Sequence, residues 1–353
     1  MKRRCPPSRD GAPGERRAVS ADRDRGTEGT EGTEGTEDTP ASRASRSSRW
    51  ATLPTEQRNP RSRDLDRLDA EEVVRLVLEE DRVGLERALE QRRPLATAAS
   101  WLAETLERGG DAILVGAGTS GRLAVLEAAE CPPTFGTAPE RIRAAIAGGE
   151  QAVFRAAEGA EDDERAGRQL GEETSAGDLV LGISASSVTA FPAAALAAAR
   201  ERGARTVLLT CASLERQPEL AGLADLVIAL DTGAEVLTGS TRLKAGSATK
   251  AALNAITTAA MVRLGKTYDN LMVDLRPGSA KLRDRAERIV ATAASVDAEA
   301  ARRLLRDAGG DVKRAIVMGL AGVDAEEAAH RLERSRGHVR AAIDLSPVPR
   351  STP

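Results

Sequence analysis

Two short stretches gather hydroxyl side chains and glycine behind apolar runs, and both have the makings of an anion site. The first is Gly116-Ala117-Gly118-Thr119-Ser120-Gly121; the second is Ser184-Ala185-Ser186-Ser187 with Thr189. A strand, a tight turn and a helix start leave backbone amides without intrahelical partners, and the helix dipole adds positive potential there. Glycine lets the backbone come close to a phosphate. Thr119, Ser120, Gly121, Ser184, Ser186, Ser187 and Thr189 are therefore the candidate phosphate ligands. Ordinary capping of a helix by Ser187 or Thr189 is the plain alternative for the second turn. Gly116, Gly118 and Gly121 also satisfy the GxGxxG dinucleotide fingerprint, a weak signal when alone.

Strands and helices in alternation must position these turns. Continuous apolar strand candidates lie at 112–115, 142–147, 179–183, 206–210 and 226–230, with helical stretches between them, notably 162–170 and 190–202. This pattern predicts an α/β fold, a doubly wound parallel five-stranded sheet of flavodoxin-like type. Ligands of such sheets bind at the carboxyl ends of the strands, where both hydroxyl turns and Gly148-Gly149-Glu150 belong. A helix over 122–129 is expected to stop at Glu130-Cys131-Pro132-Pro133, because proline lacks the donor that continues a helix.

Helices are expected before the sheet at 69–79, 83–91 and 95–108. After it, Gly239-Ser240-Thr241 should cap a long helix over 242–264, followed by an extended link at 268–274 and a helix at 279–294. Asp297, Asp311 and Asp324 should cap short helices of a small C-terminal helical subdomain. The expected organisation is a disordered low-complexity extension over 1–54, a ligand-binding domain with its N-terminal helices over 55–294, the helical subdomain over 295–345 and a tail over 346–353. The extension, with its Gly-Thr-Glu repeats, has too few apolar residues to offset the entropy of ordering.

The composition narrows the function. A formal net charge of −3 and only 2% aromatic residues argue against nucleic-acid binding. Three cysteines far apart suit a reducing compartment, and two histidines leave no material for a His/Cys metal site. No apolar run approaches the length of a membrane span, so a cytoplasmic protein without metal or redox cofactor is expected.

Several longer strings point further. TEQRNP (55–60), GAGTSGRLAVLEAAECPPTFG (116–136), AGGEQAVFRAAEGAEDD (147–163), EVLTGSTRLKAGSATK (235–250) and NLMVDL (270–275) together resemble the N-acetylmuramic acid 6-phosphate etherase family, built on a sugar isomerase (SIS) domain. The resemblance runs from about residue 55 to 343, and the glucokinase regulatory protein is a relative of that family. It implies cleavage of a D-lactyl ether from a sugar phosphate by elimination and then hydration, giving N-acetylglucosamine 6-phosphate and D-lactate in cell-wall sugar recycling. It also implies that Glu130 and Glu161 are the catalytic carboxylates, Glu130 as proton donor. At the expected helix C-terminus the dipole disfavours charge on Glu130, which suits an acid. Glu150 is a third carboxylate at a strand's carboxyl end. Ser240, Arg242 and Lys244 are candidate substrate contacts.

Ser120 and Glu130 are ten residues apart, which on a helix is about 15 Å. That span predicts a homodimer with composite sites, unless the helix starts late and bends. One departure stands out. The family's second turn usually reads Ser-Gly-Arg-Thr-Pro-Tyr, whereas this chain has Ser186-Ser187-Val188-Thr189-Ala190-Phe191. The lost glycine and arginine give some weight to a non-catalytic sugar-phosphate sensor. A nicotinamide-dependent oxidoreductase is the reading of GxGxxG alone, and the hydroxyls speak against it.

Overall fold

Asp69 accepts a hydrogen bond from the Glu72 amide at 2.9 Å, and Glu72 reaches back to the Asp69 amide. This capping box opens α1 (Ala70–Glu90). The two helices expected here are one, because Glu80-Asp81-Arg82 contains no helix breaker and Glu80 is a buried, partnered residue. The computed structural model describes residues 53–187, 189–275 and 280–345. The expected extension therefore lies, up to residue 52, outside the described residues, as does the tail from residue 346.

In chain order there follow α2 (Arg92–Glu107), β1 (Ala112–Gly116), α3 (Gly118–Phe135), β2 (Ile142–Ile146), α4 (Gln151–Phe154), α5 (Glu164–Glu172), β3 (Leu179–Ser184), α6 (Ala190–Glu201), β4 (Arg205–Thr210), β5 (Leu226–Ala229) and α7 (Lys244–Arg263). The five strands are parallel, in the order β2-β1-β3-β4-β5. Each expected strand is present, with one end moved by a single residue.

Successive residues of the strands feed opposite cores, as the period of two requires. Leu114, Leu181 and Leu209 pack with α2, α3 and α7. Ile113, Val115, Val180 and Leu208 pack with α6. The chain leaves β1 for β2 on one side and returns to β3 on the other. The carboxyl ends of β1 and β3 thus form the topological switch point, where such sheets bind ligands.

Two expectations about these helices are corrected. Helix α3 runs through Pro132 and Pro133 to Phe135. The proline ring already holds the helical φ, so the cost is two missing amide donors and crowding of the carbonyls four residues back, close to the helix end. Burial of Cys131 and Phe135, and Gly136 at φ +64° as a left-handed cap, hold the last turn. Helix α7 is not capped by Gly239-Ser240-Thr241. The buried Glu235 carboxylate accepts from the amides of Lys244 at 3.1 Å and Ala245 at 2.8 Å instead. Burial pushes the Glu235 carboxyl up from its ordinary value, against the pull of those two amides and the Lys244 charge.

The link after α7 is a hairpin of β6 (Thr267–Tyr268) and β7 (Leu271–Met272). Helices α8 (Ala280–Ala294), α9 (Ala298–Asp307), α10 (Val312–Ala321), α11 (Ala325–Arg334) and α12 (Val339–Asp344) then form their own core around Val290, Ile316 and Val317. Asp297, Asp311 and Asp324 cap α9, α10 and α11 through the amides three residues on, as expected. No described helix is long and apolar enough to cross a membrane.

Candidate active site

The first hydroxyl turn is tighter than its letters suggest. Helix α3 begins at Gly118, not at Arg122, so Thr119 and Ser120 lie in its first turn, and no side chain caps it. Gly118 has φ +52°, a region that glycine tolerates. A Cβ on Gly121 would lie 2.5 Å from the Ile146 side chain and 2.7 Å from the Gly116 carbonyl oxygen. Gly121 is buried, and its amide donates to the Ala117 carbonyl at 3.2 Å. It is a packing position that seats the helix on the strand end, and its amide is already spent.

The second turn splits its hydroxyls into two sets. Ser184 Oγ accepts from the Ser187 amide at 3.0 Å and pairs with Thr189 Oγ1 at 2.8 Å. Ser187 Oγ makes a very short contact with Thr210 Oγ1, which also accepts from the Ala212 amide at 3.0 Å. Ser184 and Ser187 are buried and bind the turn together from below. Ser186 and Thr189 face the cleft above.

Ser187 has φ +63°, in the left-handed region that glycine would enter freely. A serine holds this conformation at a cost of about 1–2 kcal/mol. The Thr210 contact offsets that cost by about 1 kcal/mol. Ser187→Gly is thus expected to change urea unfolding by under about 1 kcal/mol, since both terms vanish together. Ser187→Ala keeps the strain and loses the contact, and should destabilise by about 1–2 kcal/mol.

Both turns meet in one cleft of about 500 Å³ at the switch point. Thr119, Ser120, Ser186, Thr189 and Thr241 offer hydroxyls to it, while Glu56, Glu161 and Asp162 offer carboxylates. No lysine or arginine lines it among the described residues. Helix α6 begins after Thr189 without a side-chain cap, so the uncapped starts of α3 and α6 both face this space. Glu161 stands in a short 3-10 turn, Ala160–Asp162, entered through Gly159 at φ +73°.

Glu130 does not join them. It is an exposed residue five positions before the end of α3, so it is not the helix-terminal carboxylate expected. The helix neither starts late nor stops early. Its start at Gly118 keeps Ser120 and Glu130 on one continuous helix, about 15 Å apart. Glu150 lines a separate groove between α3 and the β2 edge, with Val125, Ala128 and Pro132. Arg242 is exposed outside the cleft, and Ser240 lies between the cleft residues Gly239 and Thr241. Glu56 and Asp162 are cleft residues that site selection from the sequence passed over, although the TEQRNP and AGGEQAVFRAAEGAEDD strings contained them, and Thr241 of the candidate contact loop also lines the cleft.

Comparisons with known proteins identify the family. Residues 95–200 match the family model described as glucokinase regulatory protein N-terminal SIS domain. The N-acetylmuramic acid 6-phosphate etherase of Gloeobacter violaceus is 48% identical over 270 residues, spanning 76% of this chain and 87% of that protein. That of Rubrobacter xylanophilus is 48% identical over 267 residues, spanning 75% and 88%. The chain belongs to the N-acetylmuramic acid 6-phosphate etherase family.

In this member of the etherase family, Lys244 is structural. Its Nζ donates to Glu80 Oε2 at 2.6 Å and to the Ala234 carbonyl at 2.7 Å, and its side chain is buried away from the cleft. Asn59 donates to Glu80 Oε2 at 2.9 Å and Arg61 to Glu80 Oε1 at 2.8 Å. Burial pushes the Glu80 carboxyl up, but Lys244, Asn59 and Arg61 outweigh it and hold the group below its ordinary value. Glu80 therefore supports the fold above the ordinary carboxylate range, and that support is lost as the pH falls through its depressed value. Lys244→Ala leaves the buried Glu80 carboxylate with only the half-exposed Arg61 as a cation. An unfolding free energy lower by about 3–5 kcal/mol is expected in urea at neutral pH.

Cys131, next to Glu130, is no nucleophile for this family member. Burial, reinforced by the nearby Glu127 charge, pushes its thiol up to about 12. At neutral pH it carries almost no thiolate.

Proposed function

We propose that this chain cleaves the D-lactyl ether of N-acetylmuramic acid 6-phosphate, giving N-acetylglucosamine 6-phosphate and D-lactate. The observation that carries the proposal is the convergence of two hydroxyl turns and Glu161 in one cleft at the β1/β3 switch point. The phosphate sits over the uncapped starts of α3 and α6, where Thr119, Ser120, Ser186 and Thr189 donate to it. Ser184 and Ser187 act from below by holding the second turn in shape.

In the opened sugar an aldehyde at C1 acidifies the proton on C2. A base removes that proton while an acid protonates the lactyl oxygen as it leaves C3. Water then adds at C3 of the unsaturated aldehyde, and a proton returns to C2. Two carboxyl groups with opposite protonation suffice for these transfers. Glu161 supplies one of them from within the cleft. Glu130 supplies the other from a second copy of the chain, because the helix that carries it takes it about 15 Å from its own phosphate turn. The working unit is accordingly a homodimer with composite sites, acting in the cytoplasm on cell-wall amino sugars.

The curated relatives favour the enzyme over the sugar-phosphate sensor. Incubation with N-acetylmuramic acid 6-phosphate, with D-lactate measured as product, tests the proposal. Lactate release is expected; its absence with substrate bound would favour the sensor.

A further inference from the structure

Glu56 belongs to the TEQRNP stretch, which the reaction scheme above leaves unused. Its side chain is exposed and lines the cleft that holds both hydroxyl turns. The segment around it is firmly placed. The Glu56 amide donates to the Leu53 carbonyl at 3.0 Å, and the Thr55 carbonyl accepts from the Gly239 amide at 3.0 Å. Asn59, buried three residues on, ties the stretch to Glu80 and to the Ala234 carbonyl. The buried Lys244–Glu80 pair thus anchors the segment that carries Glu56.

Among the described residues the carboxylate itself has almost no partner. Thr55 Oγ1 approaches Oε1 at 3.4 Å, and no cation lines the cleft among the described residues. It lies over Gly239, where a Cβ would be 3.2 Å from Glu56 Oε2. Gly239 has φ +78°, so both its conformation and its missing side chain leave room for the carboxylate. A carboxylate in this place repels a phosphate and accepts hydrogen bonds from neutral donors. A sugar phosphate supplies both ends: an anion for the uncapped helix starts and hydroxyl or amide N–H donors for an acceptor.

We propose that Glu56 is a specificity residue that accepts hydrogen bonds from the hydroxyl or N-acetyl N–H groups of the bound sugar and turns its phosphate toward Thr119, Ser120, Ser186 and Thr189. This rests on the sugar-phosphate reading above, but it does not depend on the cleavage step. Calorimetric titration of wild type, Glu56→Gln and Glu56→Ala with N-acetylglucosamine 6-phosphate and with inorganic phosphate tests it. Glu56→Ala should weaken sugar-phosphate binding by about 10- to 100-fold, the loss of a hydrogen bond to a charged acceptor. Glu56→Gln keeps one acceptor oxygen and should fall between Ala and wild type. Inorganic phosphate should bind both variants as well as wild type or better, because a negative charge has been removed.

A merely structural role would weaken the two ligands in parallel, and that result would overturn the proposal. So would unchanged sugar-phosphate binding by both variants, or no sugar-phosphate binding by wild type. Lactate release from wild type, measured separately, distinguishes the two readings. Release with Glu56-independent binding would overturn this inference alone, whereas Glu56-dependent binding without release would overturn only the lyase reading.

Discussion

Glu161→Gln is expected to lower kcat/KM for lactate release by about 10²- to 10⁴-fold, the usual contribution of a positioned acid or base. The amide keeps the size and hydrogen-bonding reach of the carboxylate but cannot take or give the proton. Binding of N-acetylglucosamine 6-phosphate should persist or tighten, because the cleft carries three carboxylates and no lining cation among the described residues. The split is what identifies a proton-transfer role. If Glu161 only braced the 3-10 turn at Ala160–Asp162, catalysis and binding would fall together. Parallel initial-rate and titration measurements on one preparation check the point.

The second large effect concerns Glu130. Glu130→Gln alone should also cost about 10²-fold or more in kcat/KM. Mixed dimers of Glu130→Gln and Glu161→Gln chains should recover activity that neither variant has alone. In a two-fold dimer with shared sites, each mixed dimer holds one site with both substitutions and one with neither. Random mixing makes half the dimers mixed, so about a quarter of wild-type activity is expected. Sites complete within one chain would give no recovery. The rationale is geometric: α3 is continuous from Gly118 to Phe135, and it carries Glu130 out of the cleft that holds its own Ser120.

Much of this arrangement can be read in the amino-acid sequence, for identifiable reasons. Strands β1 and β3 are buried along their whole length because both sheet faces are covered there, and length and spacing suffice to find all five strands. The aspartate caps of α9, α10 and α11 are legible because a side chain three residues from its amide is a local event. The features that escape are non-local. Pro132 and Pro133 look like a stop, yet burial of Cys131 and Phe135 carries α3 through them. Glu235 caps α7 from nine residues away, where no capping pattern is sought. Lys244 looks like a cation near a helix start, and only its burial against Glu80, 164 residues earlier, shows it to be structural.

The site divides in the same way. Thr119, Ser120, Ser186, Thr189 and Glu161 reach the cleft from turns that their own sequence defines. Gly121, Ser184 and Ser187 belong to the right turns but face inward, and which hydroxyl faces up depends on the φ +63° of Ser187 and on Thr210 beneath it. Glu56 comes to the cleft from the far N-terminal side through contacts with Gly239 and the Glu80 cluster. No spacing rule within one segment could have found it.

The most direct test of the elimination–hydration account is isotope tracing during turnover of N-acetylmuramic acid 6-phosphate. In deuterium oxide enriched in heavy oxygen, the N-acetylglucosamine 6-phosphate formed should carry deuterium at C2 and solvent oxygen at C3. The D-lactate should keep the original ether oxygen. Solvent oxygen in the lactate with an unlabelled sugar C2, or no lactate at all from a protein that binds the substrate, would contradict it.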